Sequence, residues 1–565
     1  MYSRVFIRVN TFLFDLLSGI SIVLALETLL VKGFYFEMPL FLYPAVVIAY
    51  VAIIILYIWW VISKILRRDH HLRRHIPDII LAALIIMTIL PFRPGGILIA
   101  FRIIFLLCTT FLQHRGFSLF FAQIRLTPSR LLILSFSTVI AVGLMLLMLP
   151  AATVDHRGAG FIDALFTATS ATCVTGLTVR DTGSYFTLFG QCVILILIQV
   201  GGLGLMTFST IFTILLGKRI GILQEDQIRG IFDQNITVNI YKLIKRIMLI
   251  TIAFESFGAL LLWVKLLPGR PVQKAMFDAV FHTISAFCNA GFSLNADSLT
   301  RYVNDPYINA VFMILIVSGG IGFVVINDLL HNMIHGNPFS IKWVRLAPHT
   351  KIVLITTGSL IISGTVIIFF FEFDNTMLNL TTAGKLLAAG FQSVTLRTAG
   401  FNTLDISGFK DVTLFLCILF MFIGASPFST GGGIKTTTFA VLILSVRSLL
   451  LARNKVEVFQ RTIPTQTIYK SVAIFLFSSF FLIVFTVFLL ETQKMNFLNI
   501  LFEATSAMGT VGLSTGITPF LSAFGKLCLS VLMLIGRVGP LTVALALREV
   551  KKINVEYPTT EISVG

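Results

Sequence analysis

Residues 161–177 read FIDALFTATSATCVTGL, a run of small and apolar residues suited to a short helix, closed by Val174-Thr175-Gly176-Leu177. The pattern returns three times: MFDAVFHTISAFCNAGF at 276–292, GKLLAAGFQSVTLRTAGF at 384–401 and LNILFEATSAMGTVGL at 498–513. Each copy ends on a Gly followed by Leu or Phe, at Gly176, Gly291, Gly400 and Gly512, a period of about 110 residues. Counted back thirteen residues from the Gly stand Asp163, Asp278, Leu387 and Asn499; six residues back stand Ser170, Ser285, Val394 and Ser506. The third copy departs furthest from the others. A short helix with a Gly-bearing extended tail, repeated four times, is what a fourfold ion path needs. Carbonyl oxygens replace the water around an ion, and four strands of them surround one axis. Glycine lets the backbone aim those carbonyls at dihedrals other residues resist. One copy alone reads better as a small-residue helix end packed in a membrane bundle. Four copies, each set between long apolar segments, favour the ion path.

The 565 residues are 56% hydrophobic and 12% charged, with a net charge of +17. That composition, with repeated apolar runs of spanning length, places the chain in the lipid bilayer. The basic residues cluster in short loops between spans, as the positive-inside rule expects, so the charge implies no nucleic acid. The six cysteines lie in apolar stretches without metal-ligand spacing. No clustered His, Asp, Glu, Ser or Cys suggests a catalytic site, so no enzyme is expected.

Residues 1–125 hold four apolar stretches, Thr11–Val31, Pro44–Ile65, Ile76–Leu90 and Ile97–Phe111, read as an accessory four-span region. Four units follow, at 126–220, 221–335, 336–455 and 456–565. Each reads as span, half-membrane helix with its Gly tail, and span. The first spans are Leu131–Leu149, Ile247–Leu267, Ile352–Phe371 and Val472–Leu490. The second are Leu188–Leu216, Tyr307–Leu330, the broken Val412–Leu450 and Leu521–Leu547. Basic inner loops give every unit the same direction, which makes a central pore rather than a rocking carrier. The expected fold is thus all-α and membrane-embedded: four span–pore-helix–span repeats around a pseudo-fourfold pore, plus the N-terminal region. The break in unit three, residues 424–438 (GASPFSTGGGIKTTT), puts Pro427, three consecutive Gly and Lys435 inside an apolar span. Irregular backbone at that depth survives only when it lines a cavity or is buried in protein. It is no phosphate loop, because Ile434 separates Gly433 from Lys435. Arg537 lies alone within LMLIGRVGPLTVALAL, where a charge is costly and functional by default. Asp163 and Asp278 fall near the starts of their short helices, and we expect them to cap those starts.

From about Leu126 onward the chain resembles the Trk/Ktr/HKT superfamily of potassium transporters. The resemblance rests on TCVTGL (172–177), CNAGF (288–292), LRTAGF (396–401), GTVGLSTG (509–516), GQCVILILIQVGGLGLMTF (190–208) and STGGGIKTTTF (429–439). It implies a filter of backbone oxygens from Val174, Thr175 and Gly176; Asn289, Ala290 and Gly291; Thr398, Ala399 and Gly400; and Thr510, Val511 and Gly512. Gly at all four filter positions implies potassium. It also implies a gate built of Gly424, Ser426, Pro427, Thr430, Gly431, Gly432, Gly433 and Lys435, with Arg537 projecting beneath the filter. The expected function is potassium uptake across the cytoplasmic (inner) membrane through one pore per chain, with sodium activation or sodium coupling compatible with it. A carrier for another monovalent cation, sodium, is the alternative. The family implies a homodimer on a ring of cytosolic nucleotide-binding RCK-type subunits, with no organic cofactor. Arg397, three residues before Gly400, is expected to point behind the filter.

Overall fold

The computed structural model describes residues 128–203, 240–334 and 343–547. The four spans expected before residue 112 lie outside the described residues. The first unit has α1 (Pro128–Leu147), α2 (Phe161–Thr172) and α3 (Leu188–Gly202). The second has α4 (Ile240–Leu266), α5 (Val272–Phe287), α6 (Pro306–Ile321) and α7 (Phe323–Ile334). The third has α8 (Pro348–Glu372), α9 (Thr382–Thr395), α10 (Asp411–Phe422) and α11 (Thr436–Leu450). The fourth has α12 (Thr465–Thr492), α13 (Phe497–Gly509), α14 (Ala523–Val538) and α15 (Pro540–Leu547). Between units three and four, Glu457–Val458 pairs antiparallel with Arg461–Thr462 in a small hairpin.

Length separates two kinds of helix. The 28 residues of α12 rise about 42 Å, more than a bilayer's hydrocarbon core, whereas the 12 of α2 rise about 18 Å. Among the described residues, α1, α4, α8 and α12 are each apolar and long enough to cross a membrane. The expected single spans Tyr307–Leu330 and Leu521–Leu547 are each bent instead, by 101° between α6 and α7 and by 96° between α14 and α15. The breaks fall at Gly322 (φ 94°) and Gly539 (φ 97°), left-handed backbone that favours glycine. If each bent pair counts as one span, the described residues hold six.

Packing closes the four units into a cycle. Within each unit the long first helix lies against the short one: α1 on α2, α4 on α5, α8 on α9, α12 on α13. Between units the later helix of one lies against the short helix of the next: α3 on α5, α6 on α9, α10 on α13, and α14 back on α2. The short helices are therefore enclosed on several sides. Each carries a Phe with no exposed surface, Phe166, Phe281, Phe391 and Phe502. Burying such a ring contributes roughly 2–3 kcal/mol.

Candidate functional site

All four short helices end toward one place, and the chain turns there in the same way each time. Positive φ recurs in pairs: Val174 (57°) and Gly176 (93°), Asn289 (59°) and Gly291 (71°), Thr398 (69°) and Gly400 (81°), Thr510 (50°) and Gly512 (89°). The first of each pair ends the helix in left-handed geometry. In every copy the next amide reaches back to the helix, Thr175 N to Ser170 O (2.8 Å), Ala290 N to Ser285 O (2.7 Å), Val511 N to Ser506 O (2.8 Å) and, one residue shorter, Ala399 N to Thr395 O (3.0 Å). Left-handed Val174, Thr398 and Thr510 are β-branched, so each costs about 1–3 kcal/mol that the surroundings must offset. Strain repeated at equivalent positions points to a functional requirement on the backbone.

The four Gly touch one another in chain order. A Cβ on Gly176 would sit 2.5 Å from Ala290 O and 3.0 Å from Gly291 Cα. One on Gly291 would sit 2.9 Å from Ala399 O, and one on Gly400 2.8 Å from Val511 O. One on Gly512 would collide with Thr175 O. The contacts run from the first copy to the second, third and fourth and back to the first. The carbonyl oxygens of Thr175, Ala290, Ala399 and Val511 thereby lie at the four contacts of one ring. On one side of it lies a cavity of about 410 Å³, lined by the four Gly and by Ser293, Asn402 and Ser514 among others.

Serines hold these tails. Ser170 Oγ accepts from Gly176 N (3.1 Å) and donates to Leu177 O (2.7 Å). Ser285 Oγ donates to Phe292 O (2.7 Å), and Ser506 Oγ accepts from Gly512 N (3.0 Å). Counting back from Gly pairs them with Val394, but the buried Phe residues give a different register. Four residues after Phe166, Phe281 and Phe502 come Ser170, Ser285 and Ser506; four after Phe391 comes Thr395. The third tail is thus one residue shorter, and the Thr395 hydroxyl is buried without a hydrogen-bond partner among the described residues. The residue after each Phe is also polar: Thr167, His282, Gln392 and Glu503. These were missed in the sequence, although a Glu in an apolar half-membrane helix is itself a signal.

Residues 424–435 form a loop against the ring. Gly424 N donates to Ile434 O (2.8 Å) and Ala425 N to Gly432 O (3.2 Å), folding the loop on itself. Ser426 N and Thr430 N donate to Gly320 O (3.0 Å) and Gly319 O (3.2 Å) of α6, and Gly432 N to Thr510 Oγ1 (3.0 Å). Thr436 Oγ1 donates to Ser426 Oγ (3.1 Å), and Lys435 Nζ to Gly431 O (2.8 Å). A Cβ on Gly431 would collide with Thr398 Oγ1, and one on Gly322 with Pro427 O, so the loop sits close under the third and fourth tails and in the α6–α7 bend. Arg537, 2% exposed, donates through its two terminal nitrogens to Thr430 O and Gly201 O. It ties the loop to α3 and α14. Arg397, 6% exposed, donates to Gly424 O (3.0 Å) of the loop, and no acid pairs with it among the described residues.

The acids do not cap. Asp163 lies in the first turn of α2 but pairs with Arg180 (2.9 Å) and Lys526 (2.8 Å), while Gly160 is the N-cap. Asp278 lies mid-helix in α5 and pairs with Arg270 (2.7 Å). Cys173 and Cys288 are buried and free, and no group of metal-ligating side chains occurs among the described residues.

Comparison with known proteins gives a consistent picture. The TrkH family, described as a cation transport protein, matches residues 98–554. The Ktr system potassium uptake protein B of Bacillus subtilis (strain 168) is 41% identical over 447 residues, 78% of this chain and 98% of that protein. The potassium/sodium uptake protein NtpJ of Enterococcus hirae is 34% identical over 78% of this chain and 98% of that protein. The crystal structure of the potassium transporter TrkH from Vibrio parahaemolyticus superimposes with a TM-score of 0.64 at 19% identity, covering 83% of this chain and 95% of that one. At that identity the likeness speaks for the fold.

Proposed function

The chain belongs to the TrkH family of cation transport proteins, and from that premise we propose that it carries potassium into the cell through one path along the axis of the four Gly segments. It is a multi-pass membrane transporter and not an enzyme. The observation that carries the potassium path is the closed ring of Gly-to-carbonyl contacts. The fourfold recurrence of left-handed backbone supports it, because alternating handedness turns successive carbonyls toward an axis. The C-terminal ends of four short helices approach the ring, and their dipoles favour a cation there. The filter residues are 174–176, 289–291, 398–400 and 510–512, in a pseudo-fourfold arrangement of span–pore-helix–span repeats.

The loop 424–438 acts as the gate and Arg537 as its latch. The guanidinium adds a positive charge beneath the ring, which shortens the stay of a cation and restrains leak. The bilayer, a second copy of the chain and a cytosolic nucleotide-binding RCK-type ring complete the assembly in this reading, and residues 1–125 are accessory. The decisive experiment is rubidium uptake by purified protein in liposomes, with sodium, lithium and nucleotide varied. Accumulation driven by an inside-negative potential, outcompeted by potassium far better than by sodium, is expected. No accumulation, or preference for sodium, overturns the reading in favour of a sodium carrier. Sodium in the name of the Enterococcus hirae relative makes that arm, and sodium activation, worth measuring. Arg537→Gln removes the charge and is expected to raise the uptake rate about tenfold, the scale of a lost charged hydrogen bond at the latch.

A further inference from the structure

The polar residue that follows each buried Phe behaves differently in the four quarters. Glu503, 1% exposed, accepts three hydrogen bonds from the strand that leaves the ring. Its Oε1 accepts from Ser514 Oγ (2.5 Å) and Thr515 N (3.1 Å), and its Oε2 from Thr518 Oγ1 (2.8 Å). No ion pair reaches it among the described residues. His282, 4% exposed, makes the same grip in the second quarter: Nε2 bonds Ser293 Oγ (3.1 Å) and accepts from Leu294 N (3.3 Å). Its Nδ1 bonds Asp278 O (2.7 Å) on its own helix, which fixes the ring's orientation. Ser293 and Ser514 each stand two residues past their Gly, and Leu294 and Thr515 each three past it. Two chemically different side chains thus hold the same two groups.

The other two quarters lack this grip. Thr167 donates to Asp163 O (2.8 Å) in its own helix. Gln392, 1% exposed, has neither amide atom bonded among the described residues. The contacts around the ring run one, two, three, four, so the gripped quarters face each other across the opening.

We propose that Glu503 and His282 are positioning residues for ion selection. They fix the mouth side of the ring at two opposite quarters through a buried side chain of the quarter's own short helix, whereas Asn402 in the third quarter is held by Ser298 and Leu299 of the second and the segment after Gly176 by the Arg180–Asp163 pair. A carbonyl ring discriminates between ions by how closely its oxygens are held in number and place. Two opposing fixed points set the width of the opening: Ser506 holds the Gly512 amide and Ser285 the Phe292 carbonyl beside Gly291, and this grip holds the residues that follow. The inference rests on the potassium path proposed above.

Rubidium flux in liposomes, competed by sodium, tests both ideas separately. Wild-type protein that fails to prefer potassium defeats the path itself. Given that preference, Glu503→Ala removes three hydrogen bonds to a buried carboxyl and is expected to lower potassium-over-sodium discrimination about tenfold or more. Glu503→Gln, which keeps the shape and most of the bonds, is expected to stay within about threefold of wild type. Thr167→Val, at the same place in the first quarter, is expected to leave discrimination unchanged. Ser514→Ala and Ser293→Ala delete only the gripped hydroxyl and keep the question answerable if Glu503→Ala does not fold. Each is expected to lower discrimination severalfold, and combining Ser514→Ala with Glu503→Gln to give less than the sum of the two. Wild-type discrimination in Glu503→Ala or in both Ser variants overturns the proposal. So does an equal loss in Thr167→Val, which would mark a general packing effect.

Discussion

The first and third quarters of the ring are built from the same plan and held by different means. In the first, Ser170 bonds both the Gly176 amide and the Leu177 carbonyl, and Asp163 pairs with Arg180 and Lys526 at the far end of α2. The tail is secured by its own helix. In the third, one residue fewer separates Thr395 from Gly400, and the Thr395 hydroxyl cannot reach the groups Ser170 reaches. Instead, Arg397 reaches from the tail to Gly424 O, and Thr398 lies against Gly431. The third tail is secured by the loop. The first, second and fourth quarters thus each carry a serine support of their own, and the third adds to its helix bond a support from the segment proposed to move. The loop touches the third quarter at Thr398 and the fourth at Thr510.

The largest expected effect comes from the shared part. Gly176→Ser places a Cβ 2.5 Å from Ala290 O at a φ of 93°, so both the neighbour and the backbone must shift. Potassium-over-sodium discrimination in rubidium flux is expected to fall more than about tenfold, and unchanged ion competition would break the ring assignment. Ser170→Ala comes next. It strips the Gly176 amide and the Leu177 carbonyl of a buried partner, about 1–3 kcal/mol each. Discrimination is expected to fall, with a lower melting temperature in detergent. Arg397→Met separates selection from gating: loss of the bond to Gly424 O is expected to raise the uptake rate by about fivefold while discrimination holds. If discrimination falls instead and the rate does not rise, the third quarter is not coupled to the loop. Thr395→Val should be the mildest. With no hydrogen bond to lose, it is expected to be neutral or to stabilise by up to about 1 kcal/mol in thermal unfolding, where Ser170→Ala destabilises.

Much of the plan was legible from repetition. The bounds of α2, Phe161–Thr172, and the four Gly follow from the period and from residue size. What escaped depends on partners distant in sequence. Capping looked right for Asp163 because only its own helix was in view; Lys526, 363 residues away, is what it meets. The bends at Gly322 and Gly539 hide in unbroken apolar runs, since hydropathy carries no sign of direction. Left-handed Val174 and Thr510 run against the preferences of β-branched residues, so local rules argue against the conformation the ring imposes. The one-residue offset of the third copy could have been found by aligning on Phe391 instead of Gly400. His282 and Glu503 announced themselves only as polar residues in apolar helices, with no hint of which strand they hold.

The cycle of helices also has a bearing on biosynthesis. The last contact in it is α14 on α2, reinforced by Lys526 on Asp163 and by Arg130 Nε donating to Ala546 O (2.8 Å) across almost the whole described chain. A ribosome delivers α2 first and α14 last. Until the fourth unit is made, the flank of the first half-helix that α14 covers has no partner from that unit. Only the final segment turns a row of units into a closed one. The fourth unit is thus the keystone of assembly, the piece whose arrival closes the cycle onto α2.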